Sequence, residues 1–329
     1  MRIGLALPQY DYSVTGESPL RWSSVVEYAQ VAERAGYDSL WVSDHLFFDV
    51  TKYGGPPHRQ GVFDPVVTLA ALAGVVTRPR LGTLVLCEAL RPAAVLAKSL
   101  ASLDCICGGR LDVGIGAGWY EPEYAAIGMP MPPPGERLAR LREAVGVLRG
   151  LLGGGPCTFE GRFHRAHDAQ NEPPAVQQPA PPIIIGGKGD RMVALAAEVA
   201  DGWNTCWVWT PEDYRARVAV LERACDAVGR DPTSVQRSLG LYALCGEDER
   251  DLERRFRRLQ DVSPPGVLDG TSLSDWRRGR LVGTVDQIRE QAAGWAAAGV
   301  ETLIAGVGAV PFAVTAPDDV ELLAEALRG

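Results

Sequence analysis

Short apolar runs alternate with longer stretches in which apolar positions recur every three or four residues, and the two periods trade places along nearly the whole chain. Runs of strand length, bounded by turn residues, lie at Ile3–Pro8, Leu40–Ser43, Leu81–Leu86, Leu111–Gly116, Ile183–Ile185, around Trp203, at Ser238–Cys245 and at Thr302–Ala305. The helical period predicts helices over Ser23–Ala35, Asp64–Thr77, Ala93–Asp104, Arg137–Leu152, Arg191–Ala200, Pro211–Val228, Asp248–Leu259 and Thr284–Ala298. In the fourth of these, Leu138, Leu141, Val145 and Leu148 fall on one face. Strands that alternate with helices build a parallel sheet through crossovers. Eight such steps fit a closed (β/α)8 TIM barrel better than an open doubly wound sheet, and 329 residues suit one such domain over residues 1–329. The proline-rich stretch around 153–182 is too long for an ordinary connection and reads as an insertion or functional flap.

Composition narrows the function classes. A formal net charge of -8 argues against nucleic-acid binding, and the basic run Arg254–Leu259 alternates with acids as a solvated helix face does. Seven cysteines, an odd count without a C-x-x-C pair, read as reduced thiols rather than as a disulfide or zinc framework. No apolar run has the length of a membrane span, and the first ten residues lack the features of a secretory signal, so the expected location is cytoplasmic, with no membrane partner. His164 and His167 form an H-x-x-H, but in a segment without helical periodicity to align them; a surface loop is the expectation there.

In a barrel of this kind the chemistry sits at the C-terminal strand ends. "GRLDVGIGAGWYEPEY", Gly109–Tyr124, is not a dinucleotide fingerprint, because Trp119 stands in the third glycine's place and no acid follows a second strand at ribose distance. Its glycines at 114, 116 and 118 instead leave bare backbone against which a planar ring can lie, with Ala117 between the last two and Trp119 and Trp203 as candidate walls. "PIIIGGKGDRM" ends the fifth strand in Gly186, Gly187, Lys188 and Gly189, just before a helix. Free amides, a cation and the helix N-terminus there suit a phosphate, while the P-loop pattern is absent. "LWVSDHLF" sets Asp44 and His45 just past the second strand; His45 is the candidate general acid or base, oriented by Asp44. The third strand carries Thr83, Leu84, Val85 and Cys87. Glu121 and Glu123 are explained equally well as catalytic acids or as parts of a solvated loop.

Several motifs in order, among them "AERAGYDSLWVSDHLF", "RLGTLVLCEALRPAAVLAKSLASLDCICGGRLDVGIGAGWYEPEY", "PPIIIGGKGDRMVALAAEVADGWN" and "LVGTVDQIREQAAGWAAAGVETLI", resemble the bacterial luciferase-like monooxygenase superfamily, and within it the branch that uses the deazaflavin coenzyme F420. The resemblance covers almost the whole chain. It implies an oxidoreductase that passes a hydride between F420 and a small organic substrate, with an insertion shaping the substrate pocket. The alternatives are an FMN-dependent monooxygenase served by a partner reductase, and a flavin-binding protein without catalysis. It further implies a homodimer, a non-proline cis peptide at Leu84-Val85, Asp44 and His45 beside the ring, Gly116–Gly118 along its edge and Gly186–Gly189 on its phosphate. Three positions depart from the pattern: Trp119 stands where F420-dependent relatives carry a glutamate, Ala93 replaces a proline, and Cys107 replaces a serine.

Overall fold

The computed structural model describes residues 1–329. Eight parallel strands form the ring: β1 (Arg2–Ala6), β2 (Ser39–Val42), β3 (Arg80–Thr83), β4 (Leu111–Gly116), β5 (Ile183–Gly186), β6 (Gly202–Trp207), β7 (Gln236–Gly246) and β8 (Thr302–Gly306). Each pairs with the next, and β8 returns to β1 through Arg2↔Thr302 to Leu5↔Ala305. The sheet is therefore a closed barrel, as the alternation predicts.

Period-two alternation sorts the side chains of each strand. On β1, Ile3 and Leu5 face outward into the largest apolar cluster, where they meet Val25, Tyr28, Ala29 and Ala32 of the helix Trp22–Ala35. Ala6 faces inward to a smaller cluster with Trp41, Leu84, Ile184 and Ile304. Trp41 fills the barrel interior because its neighbours are glycines: a Cβ at Gly4 would lie 2.7 Å from its Nε1, and one at Gly82 would lie 2.3 Å from its Cε3. This packed plug leaves the space above it, at the C-terminal strand ends, for a cavity.

Local signals fix the helix ends. The side chains of Asp64, Thr210 and Asp248 cap the helices Pro65–Ala73, Pro211–Ala227 and Glu249–Val262, and Thr284 with Gln287 forms a capping box on Val285–Ala297. The helix predicted from Arg137 begins at Pro134, since a proline is at home in the first turn, where its missing N–H has no partner to lose.

Several elements escape the sequence reading. The third strand stops at Thr83, and after a cis Leu84-Val85 peptide a separate strand, Leu86–Cys87, pairs with β4. A strand at Leu281–Thr284 extends the sheet beside the upper half of β7, where the sequence pattern predicts no strand. Short helices Glu121–Ala126 and Leu273–Arg277 and the final helix Pro317–Arg328 are also new.

The stretch around 153–182 holds a hairpin, Cys157–Glu160 with Arg165–Ala169. Its remainder is bound to the helical layer through Asn171 to the carbonyls of Ala97 and Leu151, and through the amides of Val176 and Gln177 to Asp104. His164 is no free surface residue. Its Nε2 lies 2.8 Å from Oε1 of the buried Glu88, and Glu143 accepts from the amides of Arg162, Phe163 and His164.

Candidate active site

One cavity of about 1070 Å³ opens at the C-terminal rim, and every barrel strand or the loop that follows it contributes to its wall. That volume lies at the upper end of the roughly 300–1,000 Å³ of ordinary small-molecule sites, room for a cofactor-sized group. Asp44, His45, Leu84, Val85, Cys87, Gly116, Ala117, Gly118, Trp119 and Gly186 to Gly189 all line it. Thr83 and Trp203 do not.

His45 is oriented by Glu123, not by Asp44. Its Nδ1 lies 2.8 Å from Oε2 of Glu123, whose other oxygen accepts the amide of Leu46, and Glu123 is only 4% exposed. A carboxylate can only accept, so Nδ1 carries a proton, and Nε2 makes no hydrogen bond within the protein, which leaves it the position where a proton is taken or given. Glu123 is thereby a buried partner rather than part of a solvated loop, and the short helix Glu121–Ala126 delivers it. Trp119 stands edge-on to His45 at 5.9 Å between ring centroids, is 48% exposed, and carries the Lys52 ammonium 4.2 Å from its own centroid.

Asp44 is instead the tie between two strand ends. Its Oδ2 accepts from the Cys87 amide at 2.8 Å and from Arg91 at 2.7 Å. Burial pushes its carboxyl up despite the Arg91 guanidinium.

The glycines of β4 and β5 turn out to serve Val85. A Cβ at Gly116 would lie 2.9 Å, and one at Gly186 2.8 Å, from the Val85 methyl groups, while one at Gly114 would fall 1.9 Å from the Thr83 carbonyl. Val85 is thus a knob seated in a glycine socket, with its outer side on the cavity. Thr83 lies beneath it, fully buried, its hydroxyl holding the carbonyl and amide of Gly114 at 2.7 and 2.9 Å; its burial removes it from the predicted contacts.

At the far side, Gly187 and Gly189 precede the helix Asp190–Val199, whose N-cap Gly189 supplies no side-chain cap. The first turn therefore presents amides without side-chain partners, flanked by Lys188 and Arg191, which also line the cavity. Burial pulls the Lys188 ammonium below its usual pKa, and its Nζ lies 5.0 Å from the centroid of the Trp209 ring. Trp203, expected as a wall, points outward: it stacks on Tyr214 at 5.7 Å and donates its indole N–H to the Gly187 carbonyl at 2.9 Å, bracing the turn from behind. Trp207, at the other end of the same strand, takes the wall position.

Residues not singled out from the sequence complete the opposite arc. Trp207 stacks on Tyr242 at 5.4 Å and meets Phe312 edge-on at 5.5 Å, and Trp276 and Arg280 arrive from the β7–β8 connection. No residue of 153–182 lines the cavity, so the pocket-shaping excursion is the one before Leu281 and not the proline-rich insertion. No short motif marks these residues, because their convergence depends on the unforeseen strand Leu281–Thr284.

Known proteins carry the same plan. A curated F420-dependent glucose-6-phosphate dehydrogenase of Kineococcus radiotolerans is 32% identical over 68% of this chain and 64% of its own length. A 5,10-methylenetetrahydromethanopterin reductase of Methanolobus tindarius is 30% identical over 79% of this chain and 74% of its own. Among solved structures, the monooxygenase RslO1 of Streptomyces bottropensis superposes with a TM-score of 0.76 at 26% identity, covering 99% of this chain and 98% of that one. The luciferase-like monooxygenase family profile matches residues 1–302, and this chain, an oxidoreductase by that kinship, belongs to the luciferase-like family.

Proposed function

We propose that the protein is an F420-dependent oxidoreductase that acts on a small organic substrate, with His45 as its proton-handling group. The observation that carries this reading is the His45–Glu123 pair, which leaves Nε2 of the imidazole open to the same cavity as the Val85 knob and the uncapped helix at Gly189. The residues fit a flavin-like group: a flat edge at Gly116–Gly118, Val85 behind the ring, and amides with Lys188 for a phosphate. When bound, the deazaflavin supplies or accepts the hydride. Glu123 holds the His45 ring, Nε2 takes or returns the substrate proton, and Trp119 with Phe48 keeps water from the imidazole. The names of the curated F420-dependent relatives support F420 as the cofactor.

Titration of the purified protein with F420 and with FMN, followed by absorption, tests the cofactor. His45→Ala then tests the role: turnover is expected to fall roughly 10²–10⁴-fold with cofactor affinity unchanged. Failure of both cofactors to bind, or full turnover in the variant, defeats the proposal. The likeness to the monooxygenase RslO1 favours a second reading, an FMN-dependent monooxygenase supplied by a partner reductase, for which oxygen uptake with reduced FMN is the signature.

A further inference from the structure

The second arc of the cavity has a chemistry of its own. Arg280 is placed there by register: Ala243 pairs with Leu281 in the added strand, so the residue before Leu281 stands beside Tyr242. The turn that leads into it is held on the end of β6. The Trp209 amide donates to the Gly279 carbonyl at 2.9 Å, and a Cβ at Gly279, whose φ is +69°, would lie 2.7 Å from a Val208 methyl.

The guanidinium lies 5.7 Å from the centroid of Tyr242 and 5.4 Å from that of Trp276. Its Nη1 donates to the carbonyls of Trp276 and Arg278 at 2.9 and 3.1 Å. The edge formed by Nε and Nη2, which grips a carboxylate in a two-bond fork, is uncommitted, and Nε is buried without a partner. No carboxylate pairs with this residue, whereas its neighbours Arg277 and Arg278 are bound to Glu249 and Asp275. Burial pulls its pKa below the usual guanidinium value. Aromatic faces compensate a half-buried cation only in part, and a charge with so little water around it is met by a counterion at lower cost. The hydroxyl of Thr205, a cavity residue, is likewise buried without a partner.

We infer that this arc is the substrate lobe and that it takes a planar aromatic carboxylate, its ring among Trp207, Tyr242 and Phe312 and its acid group on Arg280. The assignment rests on the proposal above only in giving the β2–β5 side to the cofactor. A carboxylate is favoured over a phosphate because one guanidinium edge serves it, while the features that suit a phosphate stand together at Gly186–Gly189, at the end of β5.

The test uses the cofactor-free protein, whose tryptophans report on the lobe by fluorescence, with trans-cinnamate, its uncharged amide and phenyl phosphate as probes. Cinnamate is expected to bind at least about tenfold more tightly than cinnamamide, and Arg280→Met to bring the two within about threefold while leaving cofactor titration unchanged. Arg280→Lys, which keeps the charge and loses the fork, guards against misfolding of the methionine variant and is expected to retain only part of the preference. Equal binding of acid and amide to the wild type, tighter binding of phenyl phosphate than of cinnamate, or a full preference in Arg280→Lys overturns the assignment. If the acid preference holds but neither F420 nor FMN binds, the cofactor reading falls and the lobe stands. If a cofactor binds and the preference is absent, the lobe alone falls.

Discussion

A single carboxylate separates a histidine that happens to stand at a rim from one prepared for proton transfer. Glu123 accepts both the Nδ1 proton of His45 and the Leu46 amide, so it fixes the tautomer and the direction in which Nε2 points. Glu123→Gln preserves the shape and removes the charge. It is expected to lower kcat more than it raises KM, to shift the pH profile of kcat, and to cost less than the roughly 10²–10⁴-fold loss of His45→Ala; steady-state kinetics across pH checks all three. His45 itself was legible in the sequence from its place after a strand. Its partner was not, because Glu123 lies 78 positions away, in a stretch whose acids look equally suited to solvent, and only the parallel order of the sheet, with β3 between β2 and β4, brings the two loops together. Trp203 shows the complementary failure. A tryptophan in a rim strand reads as a wall, but this one faces the helical layer, stacked on Tyr214, while Trp207 of the same strand lines the cavity.

Among the elements, the periodic ones were readable and the irregular ones were not. All eight barrel strands follow from short apolar runs, whereas Leu281–Thr284, "LVGT", merges with the capping box behind it and carries too little alternation to stand out. The hairpin Cys157–Ala169 has too short an apolar face to stand out; Cys157, Phe159 and Ala169 pack on the core while most other positions are exposed, and Glu143 and Glu88 hold its turn. That dependence is measurable. Glu143→Ala frees three amides at the hairpin turn, so limited trypsin digestion is expected to cut faster at Arg162 and Arg165, with little change in the Tm of the barrel, whose ring the hairpin does not join.

On the scale of the whole molecule, the helical belt is closed by charge as well as by apolar packing. Arg255, on the helix Glu249–Val262, donates to Asp251 at 2.8 Å and to Asp319 of the last helix at 2.6 Å, and Arg258 reaches the same Asp319 at 2.7 Å. Burial alone would raise the Asp251 carboxyl, but the Glu247 amide and the Arg255 guanidinium outweigh it and hold the group below its usual range. A carboxyl with a depressed folded pKa stabilises the fold above its unfolded value, about 3.9, and that contribution disappears as pH falls through the folded value. Asp251→Asn is therefore expected to be less stable than the wild type at neutral pH, and the gap to narrow below about pH 4, as followed by urea unfolding at a series of pH values.

The Val85 knob and its socket tie four positions on three separate stretches of chain to one another. Neither Gly116 nor Gly186 has room to acquire a methyl group while a valine occupies position 85, and a smaller residue there would loosen the constraint on both at once. Drift at these sites is thus collective: a lineage that reshaped the back of this cavity would have had to change position 85 first, with the glycines free to follow only afterwards.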